Sequence, residues 1–211
     1  AHIGRYDPET GRLEKIDMPD KTADDPHTLV FGAAEKHIWF TVQGGNFVGR
    51  LTVANRKVEL IPVPTSNARP YGIIVAPDGT PWVALLGTDK LASVDPRTLK
   101  LTEHNVVVGA RPRRVGATRD GRIYYTDYER GYLGRLDPET GKLNEWVLPA
   151  AGDADPYGMA IDRRGRVWLV ETGPTPNTFV GFDPAQDAIV SVTPIPSGAG
   201  SVRHMHYHSA T

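Results

Sequence analysis

Arg69-Pro70-Tyr71-Gly72-Ile73-Ile74-Val75-Ala76-Pro77-Asp78-Gly79-Thr80-Pro81-Trp82-Val83-Ala84 decides how this chain is read. The stretch is a turn, a short apolar strand, an Asp-Gly turn and a second strand carrying a tryptophan. It is written again at Asp155-Pro156-Tyr157-Gly158-Met159-Ala160-Ile161-Asp162-Arg163-Arg164-Gly165-Arg166-Val167-Trp168-Leu169-Val170-Glu171, and more loosely from Pro26 and from Pro112. A second motif lies between the copies. Leu133-Gly134-Arg135-Leu136-Asp137-Pro138-Glu139-Thr140-Gly141 repeats Ile3–Gly11 and has looser counterparts from Val48, Leu91 and Val180. Each is a strand entering an Asp-Pro-x-Thr turn, where Pro presets φ and the Asp and Thr side chains bond nearby backbone. A further strand such as Leu143–Pro149 follows.

One unit therefore has four strands: A after the proline, B around the aromatic, C before Asp-Pro and D after Thr-Gly. Equivalent prolines 26, 70, 112 and 156 are spaced 44, 42 and 44 residues apart, and the aromatics Trp39, Trp82, Tyr124 and Trp168 are spaced 43, 42 and 44. Four strands at that period predict an all-β propeller of four-stranded antiparallel blades. The complete blades fall at about 25–66, 69–108, 111–150 and 155–196, within a single propeller domain spanning 1–211. Residues 1–19 supply strands C and D of a partial blade. Residues 200–211 supply another strand A, Val202–His208. Either the two ends meet in one incomplete closing blade or the chain is a piece of a larger ring; the expectation is the larger ring, with no helix longer than a turn or two and the four aromatics packed between blades.

Composition removes several classes of function. Lys plus Arg (24) against Asp plus Glu (25) leaves a net charge of -1, without the basic excess that bulk nucleic-acid binding requires. The absence of cysteine excludes disulfides and thiolate chemistry. No apolar run reaches membrane-spanning length. No leader is visible before Ala1, so the compartment stays open. The expected partner is a small-molecule substrate or ligand, bound by a monomer, with neither nucleic acid nor membrane involved.

Because strands alternate in direction, the D→A and B→C connections emerge on one side of the disc, with strand A beside the channel. Post-proline residues and residues three past the aromatic should meet at that mouth. The first set reads His27, Tyr71, Arg113, Tyr157 and Arg203; the second reads Val42, Leu85, Asp127 and Glu171. His27 suits a general base. Asp127 and Glu171 suit a divalent cation or an acid–base pair, with Arg113 and Arg203 as flanking cations. Arg113, Arg114 and Arg203 suit a carboxylate or an oxyanion. The competing reading is an arginine–carboxylate network that only satisfies the buried mouth. His204, His206 and His208 share one face by period two, either as metal ligands or simply directed at the channel. Tyr128 is a lesser candidate for a ligand-facing aromatic.

The pattern Pro-Tyr-Gly-Ile…Asp-Gly-x-x-Trp…Gly-Arg-Leu-Asp-Pro-x-Thr-Gly resembles the virginiamycin B lyase (streptogramin lyase) family of seven-bladed propellers. The resemblance runs through every blade. It implies a magnesium-assisted lyase that opens a cyclic depsipeptide by elimination at its ester bond, with a histidine as base. His27 in Asp25-Pro26-His27 matches the family's post-proline histidine, and Asp25 the acidic residue before the proline. Glu171, and Asp127 with a shorter side chain, match the acidic residue three past the aromatic, and both become expected metal ligands. Tyr71, Arg113, Arg114, Tyr157, Arg203 and His204 are the expected substrate-binding residues, and His27 and Glu171 the catalytic ones. The chain departs from the family in having Val42 at the acidic position of His27's own blade. A non-catalytic propeller that binds a ligand or protein, as NHL-type repeats do, is the alternative.

Overall fold

A computed structural model describes residues 1–198 and 200–208; the expected strand residues 209–211 lie outside the described part. Among the described residues the chain is all-β, with two single-turn 3-10 segments at Ala33–Glu35 and Ala151–Asp153. Four four-stranded antiparallel sheets follow a two-stranded hairpin.

The hairpin pairs β1 (His2–Tyr6) with β2 (Leu13–Asp17). The first blade is β3 (Pro26–Phe31), β4 (His37–Val42), β5 (Phe47–Thr52) and β6 (Val58–Pro62). The second is β7 (Pro70–Val75), β8 (Pro81–Leu85), β9 (Lys90–Val94) and β10 (Leu101–Asn105). In the third, β11 (Pro112–Ala117), β12 (Ile123–Asp127), β13 (Tyr132–Leu136) and β14 (Leu143–Val147) pair in that order. The fourth is β15 (Pro156–Ile161), β16 (Val167–Glu171), β17 (Thr178–Asp183) and β18 (Ala188–Pro194). Successive A strands β3, β7, β11 and β15 pack side by side around the channel.

The turns hold as their chemistry dictates. Asp137 Oδ1 accepts from the backbone N–H groups of Glu139 and Thr140 at 3.0 and 3.3 Å, and Asp95 does the same for Arg97 and Thr98 at 2.8 and 3.2 Å. The turn closes with a left-handed residue, Gly141 at φ 72° in one copy and Leu99 at φ 61° in another. Glycine meets this requirement without strain.

Apolar packing runs between blades. Trp39 joins Val48, Ile73, Val83 and Leu85 between the first and second; Trp82 joins Val115, Ile123 and Tyr125 between the second and third. Tyr124 joins Met159, Leu169 and Phe182 between the third and fourth. The strand B aromatic of each blade thus packs toward the next blade. Trp168 differs from the expectation: no described blade follows it, and it is half-buried. It stacks on Phe179 at 5.0 Å and donates from Nε1 to Asp162 Oδ2 at 3.0 Å. Burial raises Asp162, but the bonds from Trp168 and Arg166 outweigh it and hold its carboxyl at about 2.

The segment expected as a fifth strand A, Val202–His208, forms no regular strand. It nevertheless runs beside β15, where Val202 O accepts from Gly158 N at 3.1 Å. A Cβ on Gly158 would meet Val202 O and Met205, just as a Cβ on Gly72 would lie 2.6 Å from Arg113 O of the next blade. The small residue after Pro-Tyr is what lets the neighbouring segment approach so closely.

Candidate functional site

Every A–B pair breaks register directly after its proline, between Pro26 and Leu29, Pro70 and Ile73, Pro112 and Val115, and Pro156 and Met159. Such an irregularity re-aims side chains out of the regular pleat. The re-aimed residues are His27-Thr28, Tyr71-Gly72, Arg113-Arg114 and Tyr157-Gly158. In the first and third blades a strand B threonine bonds the disturbed backbone: Thr41 Oγ1 accepts from Thr28 N at 3.2 Å, and Thr126 Oγ1 from Arg114 N at 3.0 Å.

Four of the five expected post-proline residues converge. The His27 ring lies 3.9 Å from the Tyr71 ring, and the hydroxyls of Tyr71 and Tyr157 are hydrogen-bonded across the mouth. The Arg113 guanidinium sits 3.5 Å from the centroid of Tyr157, 4.1 Å from Tyr128 and 5.3 Å from Tyr71. Arg114 lies 5.3 and 5.5 Å from Tyr71 and Tyr157, and its Nη1 donates to Thr28 Oγ1 at 3.2 Å. The fifth, Arg203, is exposed and contributes its backbone: its carbonyl accepts from Arg114 Nη2 at 3.0 Å. Below the mouth, His204 helps line a channel cavity of ≈ 460 Å³ with Leu29, Phe31, Ile73, Met159 and Met205.

The electrostatics follow from this crowding of cations. Burial first, then Arg114, pulls the His27 imidazole below its ordinary value, against an opposing contribution from Asp25. His204 is lowered by burial, Arg114 and His206. Burial and the Tyr157 hydrogen bond raise Tyr71, whereas for Tyr157 the bond from Tyr71 and the charge of Arg113 outweigh burial and lower it.

The two carboxylates are placed elsewhere. Asp127 is fully buried opposite Pro112, and Glu171, 1 % exposed, lies opposite Pro156. Asp127 Oδ1 accepts from the N–H groups of Arg111, Glu129 and Arg130 at 2.9, 3.2 and 3.3 Å, and Oδ2 from Arg130 Nε at 2.5 Å. Glu171 Oε1 accepts from Ala150 N at 2.8 Å, while Oε2 is buried with no partner. Burial raises the Glu171 carboxyl, against the Ala150 bond. Among the described residues neither carboxylate pairs with Arg113 or Arg203, the cations expected beside them.

Magnesium requires several oxygens in near-octahedral array. Asp127 has its oxygens already engaged and Glu171 offers one. Among the described residues no group of three or more His, Asp or Glu side chains is arranged to hold a metal ion. That applies equally to His204, His206 and His208. The donor set does not fit magnesium.

Thr28, Thr41, Thr126 and Leu86, the last packed against Tyr71 and Tyr157, were not among the residues anticipated from sequence. Thr41 and Thr126 stand at equivalent positions of the first and third blades, a two-blade alternation visible once the strands are aligned.

A model of the virginiamycin B lyase family matches residues 1–94. No curated protein sequence matches the chain. Among solved structures, a catalytically inactive variant of virginiamycin B lyase from Staphylococcus aureus with quinupristin superposes with a TM-score of 0.81 at 21 % identity, over 92 % of this chain and 63 % of that one. A streptogramin B lyase gives 0.80 at 26 % identity, over 92 % and 62 %. A putative 6-phosphogluconolactonase from Bacteroides uniformis gives 0.65 at 12 %, over 92 % and 64 %. The chain thus spans less than two thirds of the length of these proteins. In fold it is a propeller of the virginiamycin B lyase type, and in sequence it resembles that family, with the match carried by residues 1–94.

Proposed function

We propose that this chain is a lyase-like propeller, a monomer that takes a small molecule at the channel mouth and uses His27 as base in an elimination. The observation that carries the reading is the position of His27: its ring lies at the mouth, 3.9 Å from the Tyr71 ring, and burial together with the neighbouring arginines favours its neutral form. Nδ1 lies 2.8 Å from Thr28 Oγ1. In the tautomer that donates there, Nε2 keeps its lone pair toward the mouth, as a general base must. Nε2 would take a proton from the carbon next to the one that bears the ester oxygen; its electron pair would form a C=C bond as the alkyl C–O bond breaks, and the carboxylate would leave. Arg113 or Arg114 can stabilise the oxyanion that develops.

Quinupristin, held by the Staphylococcus aureus relative, is the first substrate to try. Elimination opens its ring without the mass gain of a water, so chromatography with mass detection separates it from hydrolysis. Ring-opened product of unchanged mass, lost in His27→Ala, is the expected result; intact quinupristin after prolonged incubation would refute the reading. The second reading, a binding propeller without turnover, is favoured by Val42 at the acidic position of His27's own blade. Binding of quinupristin without product would identify it.

A further inference from the structure

Arg113 and Arg114 are two adjacent half-buried guanidiniums, and among the described residues neither meets a carboxylate. The contrast with other partly buried arginines is sharp. Arg50 has Glu59, Arg130 has Asp127 and Glu145, and Arg166 has Asp162. At the mouth Nε of both Arg113 and Arg114 is buried without an acceptor. Burying a cation without a carboxylate counter-charge is costly; Tyr71 and Tyr157 offset that cost at Arg113, while burial disfavours the charge on Arg114. Both are also held in place. Arg113 lies against three tyrosine rings, and Arg114 is tied to Thr28 Oγ1 and the Arg203 carbonyl.

Arg114 also lines the channel cavity. Immediately beyond it, Leu29 and Phe31 of β3 are 55 % and 54 % exposed, although they face the channel with Ile73 and Met159. Charge and apolar surface therefore meet end to end at Arg114. We propose that the mouth captures an amphipathic carboxylate, its anionic head on Arg113 and Arg114 and its apolar body against Leu29 and Phe31. This rests on the reading of the mouth as the ligand site and specifies the class of ligand it takes. A planar guanidinium can grip a carboxylate through paired N–H donors, and the tyrosines keep both forks from swinging toward solvent.

Titration calorimetry of the full chain with octanoate, octanamide and inorganic phosphate tests it. Octanoate should bind, octanamide at least tenfold more weakly, and octanoate affinity should fall as sodium chloride is added. Arg113→Gln and Arg114→Gln should each weaken octanoate at least tenfold, and Arg114→Lys should recover most of the loss. If a glutamine variant fails to fold, the lysine variant and the octanamide comparison carry the test. Equal binding of octanoate and octanamide, unchanged octanoate affinity in the folded glutamine variants, or phosphate binding without octanoate binding would each overturn the proposal. Quinupristin turnover is measured on the same preparations. Octanoate capture without elimination removes the lyase reading alone, and elimination without octanoate capture removes this one alone.

Discussion

The third and fourth blades are built from the same sentence of sequence and end in different chemistry. The third ends its strand B in Asp127, with every oxygen engaged; the fourth ends in Glu171, with one oxygen left bare in the interior. The third buries its aromatic, Tyr124, completely, whereas the fourth leaves Trp168 half-exposed. The third supplies Arg113 and Arg114 to the mouth, and the fourth supplies Tyr157 and the glycine that admits the 202–205 segment. A repeat specifies where a side chain stands. What it does there depends on the blade that follows and on one or two carbon atoms of length.

The largest effect should come from the aromatics. Tyr124→Ala removes a fully buried ring from the seam between the third and fourth blades and should cost about 3–5 kcal/mol through lost burial and a residual cavity. Trp168→Ala loses its stack on Phe179 and its bond to the Asp162 carboxylate, worth about 2–4 kcal/mol together. Chemical denaturation of the two variants side by side checks the order. Equal losses would mean that Trp168 is covered as thoroughly as Tyr124, and the contrast between the seams would collapse.

Asp127→Asn comes next. The amide keeps one acceptor oxygen, but it presents an NH2 group to donors and leaves Arg130 with Glu145 alone. Hydrogen bonds to a charged group are worth about 1.5–3 kcal/mol, and a loss in that range is expected from denaturant midpoints at neutral pH. An unchanged midpoint would show that the carboxylate is dispensable to the turn at 127–131, and Asp127 would be available again for other work.

These contrasts also mark how far the sequence could be read. Strand count, blade period, the Asp-Pro turns and the grouping of His27, Tyr71, Arg113 and Tyr157 follow from alignment of the repeats, since each depends on local spacing. The fate of Asp127 does not. Its partner Arg130 is three residues on, in a turn where other blades have Gly45, Thr88 or Pro174, so the repeat gives no warning of a salt bridge. Trp168 differs for the opposite reason: the alignment is sound, but burial between blades needs a neighbour outside the strand's own unit, and among the described residues no blade follows. Arg203 was expected to present its side chain and presents its carbonyl, because the 202–208 segment follows β15 without joining the regular ladder.

The smallest change tests the fourth blade's carboxyl. Glu171→Gln keeps an acceptor for Ala150 N and replaces the orphan Oε2 with an amide of similar size. Because burial raises the Glu171 carboxyl above its unfolded value, its contribution is greatest where it is protonated, and declines as pH rises through the folded value. Ionising this carboxyl puts a charge in a place that disfavours it; glutamine carries no such cost. The variant should melt close to the native chain at acid pH and increasingly above it as pH rises beyond about 4, where an ordinary glutamate carboxyl titrates. A gap that closes as pH rises would mean that Glu171 is held as the anion by a cation not seen beside it. The fourth blade would then resemble the third after all.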